Sequence, residues 1–359
     1  MAQPGGKAAG LAAVLRAGSL TGVLAADELT RSPEWLPLDG APGAAVRLVR
    51  LNEENYREAS FLDQRLLERG YAQGACDLAV LEAAVARLAV RAHYIFHTGH
   101  VGSTLVSRLI GAYPGFFSLR EPALLRALAM RGPAEAAPRL EAALALLSRT
   151  WRPGERAVVK ATSFVSELST SILAAGEQAV AILMFVSPAA YLAGILAGPN
   201  SRAEIRQLDA VRLQRLEGRL GPEGLLAAPR SEGESVAMSW LCEMTALCHA
   251  AERFAARVRW VNFDEFLAEP RSGLADILAA LGARPAAKEI ETLVSGPLMR
   301  RYSKAPEYAY DAALRREVLR SAELEHAGEI RRGIEWLQKR AGRHPLARRA
   351  FEMSAAERL

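Results

Sequence analysis

Five short apolar runs rich in β-branched and aromatic residues are set into a chain whose remaining hydrophobic positions mostly follow helical spacing. They are Tyr94–His97, Phe116–Leu119, Ala157–Lys160, Val180–Val186 and Val258–Phe263. Continuous apolar runs of this length, separated by helical pattern, predict a parallel sheet covered on both faces. Ligands of such sheets sit beyond the carboxyl ends of the strands. The informative residues are therefore those that follow each run: His97–Thr104, Arg120 with Glu121, Lys160, Ser187 with Pro188, and Asp264 with Glu265.

Around these runs the pattern predicts helices. Leu11–Leu24, Asn52–Arg69 and Cys76–Val90 read as helical, with one β-like run from Ala45 to Leu51. Arg131–Trp151 is an Ala/Leu helix, and residues 190–256 are mostly helical, with a loop at Gly198–Ser201 and a break near 228–234. Helices also fill 265–295 and the charged tail after Asp311. The predicted organisation is a mainly helical extension over 1–90, an α/β domain over 91–320 and a helical tail over 321–359 packed on the core.

Composition narrows the function classes. The 359 residues suffice for a full core, and 50% hydrophobic with 24% charged residues is ordinary for a globular protein. A net charge of +5 suits an anionic ligand. Aromatics are only 6%, and no basic run is interleaved with them, so nucleic acid is not an expected partner. Arginine outnumbers lysine 40 to 5, which makes the arginines weak markers and gives Lys160 and Lys304 more weight. Three scattered cysteines, Cys76, Cys242 and Cys248, point to a reducing compartment. No metal site is expected from the histidines, because no carboxylate or cysteine completes a ligand set around His93, His97 and His100. The N-terminus lacks a signal-peptide pattern and no run reaches membrane-spanning length. A cytoplasmic location is the expectation.

The first run leads into Thr98-Gly99-His100-Val101-Gly102-Ser103-Thr104 and then a helix-like Leu105–Ile110. Strand, glycine-bracketed turn and helix start together form an anion cradle, in which successive amides and the helix dipole point at one spot. The spacing lacks the lysine of the nucleotide-hydrolysing loop, and the dinucleotide G-x-G-x-x-G pattern is absent.

These residues resemble the sulfotransferases, which move a sulfuryl group from 3′-phosphoadenosine 5′-phosphosulfate (PAPS) to an acceptor. Gly99–Leu105 looks like their 5′-phosphosulfate loop, and residues 109–122 resemble the bacterial run that follows it. Val261–Gly282 is similar to their late strand, turn and core helix, and Arg301–Ala305 to their late basic segment. The resemblance implies a P-loop-type three-layer α/β/α fold with a central five-stranded parallel sheet. It implies that Gly99, His100, Val101, Gly102, Ser103 and Thr104 hold the PAPS phosphosulfate. In-line transfer also needs a group that stabilises the departing oxygen, for which His100, where the family has lysine or arginine, and Lys160 are the candidates, and a base for the acceptor's proton, for which Glu121, after the second run, is the candidate. The family's 3′-phosphate arginine and serine fall on Val186 and Gly194. Ser201, Arg202 and Lys304 are the candidates to replace them.

The implied partner is a small-molecule or peptide acceptor bearing a hydroxyl or amine; homo-oligomerisation is left open. Two alternatives remain: a nucleotide-dependent kinase on the same core, and a catalytically degenerate binding module with this fold.

Overall fold

A computed structural model describes residues 20–38, 46–225, 228–301 and 311–355. The chain forms two compact units, neither of them a continuous stretch. One comprises Met1–Tyr94, Ser107–Ala161 and Ser171–Ala179; the other comprises Ile95–Val106, Thr162–Thr170 and Val180–Leu359.

The early chain holds more strand than its pattern predicts. Strands β1 (Leu20–Val23), β2 (Trp35–Pro37), β3 (Val46–Arg50) and β4 (Gln73–Cys76) form a four-stranded sheet in the order β1-β4-β3-β2. β1 runs parallel to β4, while β3 is antiparallel to both β2 and β4. Leu20–Val23 falls at the end of the predicted Leu11–Leu24 helix, the rest of which lies outside the described residues up to residue 19. Strands of three to five residues are too short to display alternation, and Gln-Gly-Ala-Cys carries no β-branched residue. Only β3 was foreshadowed, by the Ala45–Leu51 run. Helices Ala26–Arg31 and Leu78–Val85 accompany this sheet, and Leu29, Trp35, Leu48, Cys76 and Ala84 form its core.

The central sheet follows the five apolar runs. Strands β5 (His93–His97), β6 (Phe116–Arg120), β7 (Arg156–Lys160), β8 (Ala181–Phe185) and β9 (Val258–Asn262) lie in the order β6-β7-β5-β8-β9. β6 pairs in parallel with β7, and β8 with β9. Every residue of β5 and β8 is buried, as strands covered on both faces require. β9, at the end of the order, leaves Arg259 exposed, while Trp260 packs edge-on against Phe185.

Helices supply the remainder. Pro133–Leu147 covers the predicted Ala/Leu segment. Of the predicted loop at Gly198–Ser201, Gly198 lies between helices, while the rest starts the helix Pro199–Leu225, because proline at the first helical position has no amide hydrogen to lose. Ser231 caps Glu232–Arg253, accepting the Glu234 amide while the Glu234 carboxylate takes the Ser231 amide. The tail forms Ala312–Glu325, Ala327–Ala341 and Pro345–Ala355. Ala327–Ala341 is not simply a solvated charged face, since it buries Trp336, Leu337 and Arg340. It crosses Glu232–Arg253 at two glycines: a Cβ on Gly233 would overlap the Glu329 carbonyl, and one on Gly333 would overlap Leu192 and the Gly233 carbonyl.

Candidate functional site

The glycine turn after β5 has the shape its sequence implies. Gly99, His100 and Gly102 all take positive φ, at 105°, 55° and 63°, and Ser103–Ala112 follows as a helix. The first helical bond runs from the Val106 amide to the Gly102 carbonyl at 3.1 Å, so the amides of Ser103, Thr104 and Leu105 precede the intrahelical ladder. Thr98 and Thr104 are buried, and among the described residues neither hydroxyl has a hydrogen-bond partner. An orphaned hydroxyl beside free helix-start amides is a place where an oxyanion recovers hydrogen bonds otherwise lost on burial.

Residues 100–105 line a cavity of about 140 Å³ with Phe263, Met299, Arg301 and Arg315. Phe263 lies directly over the turn; a Cβ on Gly102 would overlap its ring, so glycine is required there by packing as well as by φ. Arg315 is ion-paired with Asp264, and its guanidinium carbon stands 5.3 Å from the Phe263 ring centroid. Asp311 caps Ala312–Glu325 by accepting the Leu314 amide at 2.8 Å. Of these lining residues Arg301 stands in the Arg301–Ala305 motif, whereas Phe263 and Arg315 carry no sequence signal of their place at the cavity. A helix-face arginine gives no signal in a chain with this arginine content.

Of the residues proposed to replace the 3′-phosphate partners, Ser201 hydrogen-bonds His100 Nε2 at 3.1 Å. Arg202 faces Glu232 at 3.5 Å, and Lys304 lies outside the described residues. Ser201 therefore positions His100. At the family's own location the surroundings are apolar. Val186 is 1% exposed, its carbonyl accepts the Trp240 indole N–H at 3.4 Å, and a Cβ on Gly194 would meet Leu319 at 3.7 Å.

Glu121 and Lys160 are brought together in the other unit as an ion pair. The Lys160 side chain is fully buried and that of Glu121 is 13% exposed. The Glu121 amide also donates to the Lys160 carbonyl at 2.6 Å, and Glu121 holds φ at 51°. Arg120 does not pair with Glu121. Its guanidinium donates to the carbonyls of Tyr56, Arg57 and Ala59, and burial lowers its pKa to about 9.

Among the described residues, no group of three or more His, Cys, Asp or Glu is placed to hold a metal ion, and no helix is long and apolar enough to cross a membrane.

No protein-family model and no curated protein matches the chain. Solved structures similar in shape include the sulfotransferase domain from the curacin biosynthetic pathway, at 13% identity and TM-score 0.38, covering 67% of this chain and 98% of that one. Sulfotransferase STF1 from Mycobacterium tuberculosis H37Rv is 14% identical with TM-score 0.40, covering 69% of this chain and 82% of its own. Mouse sulfotransferase SULT7A1, complexed with 3′-phosphoadenosine 5′-phosphate (PAP), is 13% identical with TM-score 0.37, covering 76% and 93%. All three are sulfotransferases.

Proposed function

We propose that the protein is a sulfotransferase-like enzyme that moves a sulfuryl group from PAPS to a hydroxyl or amine acceptor. The observation that carries this reading is the turn at 99–104, with its helix-start amides and the partnerless Thr104 hydroxyl beside an arginine-lined cavity. In-line transfer needs little covalent work from a protein; positioning and charge stabilisation dominate. The amides of Gly102–Leu105 and the hydroxyls of Ser103 and Thr104 would hold the phosphosulfate. His100, oriented by Ser201, would donate a hydrogen bond to the oxygen that gains charge as the S–O bond breaks. Glu121 and Lys160 are candidates from their places at the carboxyl ends of β6 and β7.

The residues fit the 5′ end of the donor. They do not fit a 3′-phosphate at Val186 and Gly194, where burial without a cation would be costly. That mismatch favours a second reading, a binding module of the same fold that has lost turnover.

Calorimetry with PAP and adenosine monophosphate separates the readings. The enzyme reading expects PAP to bind at least tenfold more tightly than the monophosphate. It also expects Thr104→Val to weaken PAP several-fold and His100→Ala to slow transfer from PAPS. Binding without turnover, unaffected by His100→Ala, supports the module. Absence of PAP binding overturns the enzyme reading.

A further inference from the structure

A second concavity lies wholly within the first unit, at the amino-terminal ends of its strands. It is a groove of about 550 Å³, in the size range of small-molecule sites. Its wall is built from the end of Ala26–Arg31, from the segment that leads into β5, and from the turn that leads into β7. These three separate segments contribute six arginines, Arg31, Arg87, Arg91, Arg149, Arg152 and Arg156, against one lining carboxylate, Glu155.

The roles of these arginines differ. Arg149 is buried, and its guanidinium donates to the carbonyls of Leu29, Ser32, Trp35 and Leu146; it holds the wall together. Arg87 is paired with Asp27, and Arg152 with Glu53 at 2.7 Å, yet the two side chains remain 56% and 59% exposed. The guanidiniums of Arg31, Arg87, Arg91, Arg152 and Arg156 thus outnumber the carboxylates of Asp27, Glu53 and Glu155. Glu155 shows how an oxyanion sits in this wall. Its carboxylate accepts the Trp151 and Arg152 amides at 3.2 and 3.0 Å and the Arg152 guanidinium at 2.7 Å. The adjoining hollow shares Arg91 and Arg156 but carries Glu141 and Glu177, which bounds the anion-favouring region on that side.

We propose that this groove binds a small multivalent oxyanion, a phosphate or sulfate ester of roughly nucleotide size, with Arg31 and Arg91 as its principal contacts. Forked guanidiniums from separate segments suit several oxyanion groups on one molecule better than a single one. The site is independent of the turn at 99–104 and of the reaction proposed for it.

The test is calorimetry on the full chain at 50 and 200 mM NaCl. Inorganic tripolyphosphate serves as the phosphate probe and a trisulfated disaccharide as the sulfate probe. The comparison proteins are Arg31→Ser/Arg91→Ser and Thr104→Val. Both arginines are exposed, so an unchanged melting temperature verifies the fold of the double variant. The expected result, for at least one probe, is a class of sites beyond any binding at the 99–104 turn. It weakens at least tenfold in the double variant, stays within twofold in Thr104→Val, and weakens further at the higher salt. The probe that binds identifies the ester class. Failure of both probes to bind, equal binding by the double variant, or loss of this class in Thr104→Val would overturn the proposal.

Discussion

His100 and Glu121 are the non-glycine residues that take positive φ among the described residues. Each costs roughly 1–2 kcal/mol relative to ordinary backbone, and such strain persists only where the surroundings enforce it. The Ser201 hydroxyl holds His100 and the Lys160 ammonium holds Glu121. His93, at the start of β5, is a different case. Burial, reinforced by Arg156, pushes its pKa down to about 4. The folded chain therefore keeps His93 neutral to about pH 4, while the unfolded chain takes up its proton near pH 6.5. Between those values the unfolded state binds more protons, so stability falls as pH falls. The loss from this residue should approach ~3 kcal/mol. Chemical denaturation of wild type and His93→Gln across pH 7 to 4 should show the variant gaining on wild type by that order. A pH-independent difference would contradict the assignment. The turn at 99–104 was legible because glycine spacing encodes backbone shape. The partners of Lys160 and Ser201 were not, since an ion pair across 39 positions and a hydrogen bond across 101 leave no local pattern.

At the scale of elements, Pro199–Leu225 and Glu232–Arg253 share a buried charged network. Arg212 meets Glu243 at 3.0 Å, with both side chains at most 3% exposed. Arg219 pairs with Glu167 at 2.5 Å and donates to the Cys242 carbonyl at 2.7 Å. Burial pushes the Glu243 carboxyl up against the pull of Arg212. Removing one partner should hurt more than removing both, because it strands a buried charge. Arg212→Met is expected to cost about 3–5 kcal/mol, and Arg212→Met/Glu243→Met less. Equilibrium unfolding of the two variants checks this, and equal losses would show that the pair acts only through packing. The central strands were legible because five buried runs interrupt helical spacing, and they match β5–β9 to within one or two residues. β1–β4 were hidden by their shortness, and the glycine contact of Gly233 with Gly333 by the 100 residues that separate them.

For the molecule as a whole, the central sheet places two chemically distinct features at strand ends. The turn after β5 offers amides, and the groove before β7 offers guanidiniums. A net charge of +5 favours anions at either place without choosing between them. The choice for the reaction rests on whether amides near His100 hold the donor. Amide-detected NMR of the 15N-labelled chain, titrated with PAP, asks this directly. The account predicts saturable shifts that are largest for Gly102, Ser103, Thr104 and Leu105 and that need several-fold more PAP to saturate in Thr104→Val. Saturable PAP binding that leaves those four amides unmoved would contradict it.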